Sequence, residues 1–106
     1  MRIQLLFFAA CPHVEAARTA LRAALSAERL EGTFEEIDLE AAAAPRWALG
    51  WGSPTILVDG EDIGGAHPVR SAALACRLYL DGAPRVDDIR RAIRAARQVR
   101  ASEEPR

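Results

Sequence analysis

The sequence predicts a single α/β domain in which a mixed sheet of four strands is flanked by helices. An apolar strand, Ile3 to Phe8, runs through a Cys-Pro turn into an amphipathic helix, and a second strand follows at the spacing of a βαβ unit. Further on, the strongly β-forming stretch Thr55 to Val58 precedes the hairpin signal Asp59-Gly60. We expect one domain over residues 1–106, with a frayed tail at 101–106.

The turn after the first strand places a thiol beside a helix. Pro12 suits the first helical position, because its missing N–H would have no partner there. Cys11 is then expected at or just before the helix N-terminus, where backbone N–H groups and the helix dipole favour a thiolate over a thiol. The alternative is a small buried cysteine that begins a helix.

The next elements follow from periodicity and turn signals. Apolar residues recur at helical spacing from Pro12 to about Ala27, and Thr33 to Leu39 alternates like a second strand. The alanine-rich segment Glu40 to Leu49 predicts a short helix, with Trp47 in the core and Trp51 packed beside the following loop.

The rest of the chain predicts a hairpin and a final helix. After Asp59-Gly60, Glu61 to Ile63 returns as a short antiparallel strand. Val69 to Leu80 carries both helical and strand patterns, so its conformation stays open. Apolar residues at helical spacing then mark a last helix that runs to about Arg100, namely Val86, Ile89, Ile93, Ala96 and Val99.

Composition excludes several classes of protein. The formal net charge is -1 and half of the residues are hydrophobic, which fits one globular core. There is no apolar run of about 20 residues and no signal-peptide layout, so we expect a cytoplasmic protein with no membrane partner. Two cysteines, Cys11 and Cys76, are too few for a disulfide scaffold, and no Cys/His cluster has the spacing of a zinc site.

All 14 basic residues are arginine, a bias typical of a GC-rich genome. Five of them form a basic face on the last helix: Arg90, Arg91, Arg94, Arg97 and Arg100. Such a face can bind phosphates, but the net charge and the lack of interleaved aromatic residues favour a solvated surface. We therefore expect no nucleic-acid partner.

Three motifs carry a resemblance to a known family. They are Cys11-Pro12-His13-Val14 at a Cys-Pro-x-Cys position, Gly52-Ser53-Pro54-Thr55 at a cis-proline loop, and the hairpin from Asp59 that ends in Gly64-Gly65. In this order and spacing they resemble the thioredoxin-fold superfamily, and its glutaredoxin-like branch in particular. The resemblance covers about residues 3–66 and the last helix.

The resemblance implies a thioredoxin-like fold with a cis peptide between Ser53 and Pro54. It also implies that substrate binds along Ser53, Pro54 and Thr55, beside the reactive sulfur, with Pro12, Gly64 and Gly65 completing the substrate-binding set. Val14 stands where the family has its second cysteine, so no disulfide can form within the motif. Ala66 and His67 follow Gly-Gly where the family has acidic residues that hold glutathione.

We expect Cys11 to be the sole motif nucleophile in thiol–disulfide exchange or deglutathionylation. Its mixed disulfide would be resolved by glutathione as co-substrate, with no bound cofactor, or by Cys76 as a resolving thiol. His13, beside the thiol, is the candidate catalytic partner that assists the proton transfer, or else a solvated bystander. The expected partner is a small thiol or a protein disulfide, and the oligomeric state stays open.

A second hypothesis keeps the fold without the catalysis. The chain would be a thioredoxin-fold binding module, in which the thiolates of Cys11 and Cys76 hold a soft metal. Cys76 could also be an ordinary buried cysteine, since it stands among Ala75, Leu78 and Tyr79.

Overall fold

The computed structural model describes residues 1–30, 34–65 and 84–103, and these form a small α/β domain with a four-stranded mixed sheet and two α-helices. The strands are β1 (Ile3–Phe7), β2 (Glu35–Asp38), β3 (Thr55–Val58) and β4 (Glu61–Asp62), and the helices are α1 (Val14–Ala27) and α2 (Val86–Glu103). The open prediction for Val69 to Leu80, and with it Cys76, lies outside the described residues, as does His67.

The sheet has the strand order β2-β1-β3-β4. β1 runs parallel to β2, as the βαβ spacing predicted, and antiparallel to β3. β3 and β4 form the predicted hairpin, in which Val58 pairs with Glu61 across Asp59 and Gly60. The turn residues have φ angles of 51° and 85°. Positive φ at both central residues is the signature of a type I′ turn, which explains the Asp-Gly pair.

Hydrophobic clusters lie on both faces of the sheet because side chains alternate along each strand. One cluster joins β1 and β3 to both helices and contains Ile3, Leu5, Ala17, Leu21, Ala24, Leu25, Ile56, Val58, Ile89 and Ile93. The other contains Leu6, Ile37, Leu39, Ala48, Trp51 and Leu57. Neither helix of the described chain is long and apolar enough to span a membrane.

The predicted helix over Glu40 to Leu49 is wrong. That segment forms turns and a single turn of 3-10 helix, Arg46–Ala48. Pro45 has extended backbone angles (φ -66°, ψ 146°), and a proline disfavours the helical conformation of the residue before it. Trp47 is 47% exposed rather than in the core, whereas Trp51 is buried in the second cluster.

Candidate functional site

The candidate site lies where the chain leaves β1 and meets the loop that enters β3. The N–H of Cys11 donates a hydrogen bond to the carbonyl oxygen of Phe8 at 3.0 Å, which closes a tight turn after the strand. This turn fixes the place of the thiol at the carboxyl end of β1. Cys11 itself is only 5% exposed.

Ser53 connects the cysteine turn to the loop before β3. The Cys11 Sγ–H donates to the carbonyl oxygen of Ser53 at 3.5 Å, a contact that needs the protonated thiol. The Ser53 Oγ in turn accepts a hydrogen bond from the N–H of Phe8 at 3.2 Å. Ser53 therefore contacts both ends of the turn that carries the thiol.

The Ser53–Pro54 peptide bond is cis, the conformation expected from the sequence. Thr55 Oγ1 donates to the carbonyl oxygen of Gly52 at 2.6 Å and closes the loop around the proline. Ser53 and Thr55 are 0% exposed and Pro54 is below 2%. Of the residues expected to face a substrate, Ser53 is thus brought into contact with Cys11, and Ser53, Pro54 and Thr55 are all buried in this conformation.

The structure corrects the expected start of the first helix. α1 begins at Val14, so Pro12 and His13 separate Cys11 from it, and Pro12 occupies the preceding turn rather than the first helical position. His13 is the N-cap residue, but its side chain makes no capping hydrogen bond. Pro12 is exposed and Val14 is buried.

His13 is half-buried beside the turn, and its ring makes no hydrogen bond to any described residue. The structure therefore does not pair it with the Cys11 thiol. The role of His13 as a catalytic partner rests on its sequence position alone.

Gly64 and Gly65 lie after β4 and are exposed. Their N–H groups donate to Asp62, at 2.9 Å to a side-chain oxygen and 3.0 Å to the carbonyl oxygen, so the turn is organised around that buried aspartate. The hydrogen bonds of these two glycines thus go to Asp62.

Sequence reasoning missed Phe8 as a site residue. Its carbonyl oxygen accepts from the Cys11 N–H and its N–H donates to Ser53 Oγ, so both contacts come from the main chain. Backbone contacts of this kind leave no residue-type signature, and no sequence signal could have identified them.

Arg18 connects the first turns of α1 to the sheet through contacts of its side chain. Its guanidinium donates to Glu36 of β2 at 2.6 Å, pairs with Glu15 on its own helix, and lies 5.8 Å from the centre of the Phe7 ring of β1. The hydrogen bond that Arg18 donates to Glu36 is the main cause that raises the pKa of Arg18. The helix that follows the Cys11 turn is therefore tied to both β1 and β2.

The acidic groups with shifted pKa values lie away from the thiol. Asp59 lies beside the start of β1, where its N–H donates to Arg2, and a hydrogen bond from Arg100 lowers its pKa. Glu28 caps the far end of α1. Over the described ranges, no group of three His, Cys, Asp or Glu residues could hold a metal ion.

Comparisons with protein-family models, curated proteins and solved structures give no match to this chain.

Proposed function

We propose that this chain is a thioredoxin-like protein of the glutaredoxin type, in which Cys11 is the nucleophile of thiol–disulfide exchange or deglutathionylation. The observation that carries the proposal is the 3.5 Å contact between Cys11 Sγ and the carbonyl oxygen of Ser53, the residue before the cis-proline. A strand, a cysteine turn, a parallel strand and a hairpin in the described order support the same assignment. A cytoplasmic location belongs to this proposal.

The reaction needs one thiol of the protein and one from solution. The Cys11 thiolate attacks one sulfur of a disulfide, a Cys11 mixed disulfide forms, and the other sulfur leaves as a thiolate that takes up a proton. Reduced glutathione, as its thiolate, then attacks the sulfur of the bound group, so this group leaves as a disulfide with glutathione and Cys11 is restored as a thiolate. Val14 stands three residues after Cys11 and cannot resolve the intermediate.

Deprotonation would open the site. The thiol donates its proton to the Ser53 carbonyl oxygen, and a thiolate has no proton to donate. The negatively charged sulfur and the partially negative carbonyl oxygen would then repel each other, which favours movement of the sulfur away from the buried loop. Because Cys11 is 5% exposed, some such movement must precede attack on a protein disulfide.

Turnover of a glutathionylated peptide in the presence of reduced glutathione tests the proposal. We expect Cys11→Ser to abolish peptide release and Cys76→Ser to retain it, because the second thiol can come from glutathione. Ser26→Ala, on the exposed side of α1, is a control that shows whether an unrelated small substitution leaves peptide release unchanged. Activity in Cys11→Ser equal to that of the unchanged protein would overturn the proposal.

The burial of Cys11 favours a second candidate, a thioredoxin-fold binding module without catalysis. A buried thiol that donates to a carbonyl oxygen is a stable packing arrangement in itself. If this module held a soft metal through Cys11 and Cys76, titration with copper(I) would give stoichiometric binding that either cysteine-to-serine change removes. Binding retained in both variants would exclude this thiolate site.

A further inference from the structure

Three arginines of α2 converge on one carboxylate of α1. Arg90 Nε and Arg94 Nε donate to Glu28 Oε2 at 2.8 and 3.1 Å, and Arg97 donates to Oε1 at 3.0 Å. Arg97 also donates to the Glu28 carbonyl oxygen at 2.6 Å. The basic face expected to be solvated is therefore partly an ion-pair network, with the Glu28 side chain 4% exposed.

The Glu28 carboxylate holds these three arginines through both of its oxygens. Both of its oxygens accept hydrogen bonds, and the bond from Arg90, followed by that from Arg94, lowers the pKa of Glu28 against the opposing effect of burial. One negative charge thus orients three positive ones. Such preorganisation reduces the side-chain entropy that an arginine loses when it binds a ligand.

Arg90 and Arg94 retain donors for a ligand. Each reaches Glu28 through Nε, and their terminal nitrogens have no hydrogen-bond partner among the described residues. Arg91 directly follows Arg90 in α2. It makes a long 3.4 Å contact with Asp88, and its side chain is 78% exposed. These three arginines and Asp87 line a depression of about 220 Å³.

We propose that Arg90, Arg91 and Arg94 form a binding site for a doubly charged oxyanion, either inorganic phosphate or the phosphate of a small phosphomonoester. The planar fork of a guanidinium matches the spacing of two phosphate oxygens. Residues three and four positions apart on a helix are neighbours, so Arg90, Arg91 and Arg94 can all contact one group. The carboxylate of Asp87, which lines the depression, and that of Asp88, which contacts Arg91, disfavour a long polyanion such as a nucleic acid.

Titration with inorganic phosphate at constant pH and ionic strength, with chloride as the balancing salt, tests the site. Calorimetry gives the affinity, and NMR signals of the arginine side chains report where the ligand binds. We expect saturable binding that Arg91→Gln weakens by about tenfold or more, because a charged hydrogen-bond pair is lost. Arg91→Lys keeps the charge but loses the planar guanidinium, so its phosphate affinity should lie between those of the unchanged protein and Arg91→Gln.

Arg22→Gln is the matched control, since Arg22 is exposed on α1 and makes no ion pair with a described residue. It removes the same charge and should leave phosphate binding unchanged. A parallel titration with glycerol phosphate distinguishes the sources: tighter binding identifies a phosphomonoester, and equal or weaker binding identifies free phosphate.

The proposal fails if phosphate binding does not saturate at constant ionic strength, or if Arg22→Gln and Arg91→Gln weaken it equally. It also fails if a single-stranded oligonucleotide binds more tightly than either small anion at physiological salt. Because Arg91 does not contact Glu28, its replacement leaves the helix–helix network intact, and a melting curve checks that each variant is folded.

Discussion

Replacing Ser53 by alanine tests the link between the cysteine turn and the cis-proline loop. The change removes Oγ, which accepts the Phe8 N–H at 3.2 Å, and leaves the Ser53 carbonyl oxygen in place for Cys11. Ser53 is 0% exposed, so water does not readily replace the lost acceptor. A donor left without its partner in a buried site costs about 1–3 kcal/mol of the free energy of unfolding.

Two readouts follow from that magnitude. In a domain of about this size, each kcal/mol lowers the melting temperature by roughly 4–8 °C. If the loss falls on local opening of the Phe8 to Cys11 turn, alkylation of Cys11 should also accelerate, by about 5-fold to 150-fold for the same range of free energy.

Urea unfolding followed by circular dichroism measures the loss of unfolding free energy, and thermal unfolding measures the shift in melting temperature. Mass spectrometry with a thiol alkylating agent measures the alkylation rate of Cys11 in a Cys76→Ser background. Ser26→Ala is the control, because Ser26 is exposed on α1 and alanine favours a helix slightly. A loss below about 0.5 kcal/mol in Ser53→Ala, within the range of ordinary surface changes, would refute the role assigned to Ser53.

Three further predictions concern the frame around the site. Glu28→Gln should destabilise the fold at neutral pH. The pKa of Glu28 is lowered from 4.5, chiefly by the hydrogen bond from Arg90, so the ionised carboxylate contributes its full stability above pH 4.5 and loses it as the pH falls through the lowered pKa. Urea unfolding of both proteins across acidic pH would show their stabilities converge. Ile93→Ala should cost about 2–5 kcal/mol, since Ile93 is 0% exposed in the cluster between helices and sheet, and Val99→Ala on the exposed side of α2 should cost far less. Gly60→Ala should lower the free energy of unfolding by about 1–2 kcal/mol, because φ is 85° at this residue; the cost is backbone strain, since the added Cβ would have no atom within 4 Å. Gly60→Asn should recover part of that loss, and equal stability of the two variants would contradict the turn assignment.

The fold elements with strong local patterns were predictable. The apolar run of β1, the β-branched stretch of β3 and the Asp-Gly turn each specify their structure over a few residues, and the periodic apolar residues specify both helices. The conformation of the segment after β2 was not predictable, because alanine propensity favours a helix that Pro45 prevents. Trp47 then loses the helical face that would have buried it.

The candidate site was predictable only in part. The motifs identified Cys11 and Ser53, and the structure places them in contact. The sequence could not show that the main chain of Phe8 holds both of them, or that α1 starts after His13. Contacts across the chain are equally hidden: Arg90 lies 62 positions from Glu28, and nothing local to either residue indicates that they meet.

Reaction with oxidised glutathione is the most direct test of the central claim, that Cys11 is a thiol nucleophile. Intact-mass analysis of the folded Cys76→Ser protein would follow the adduct, with the same protein in denaturant as the reference for full reactivity. We predict one glutathione on Cys11, formed in the folded state and removed by reduced glutathione. If the folded protein gains no adduct while the denatured protein is fully modified, Cys11 is an inaccessible core thiol and the proposed chemistry is wrong.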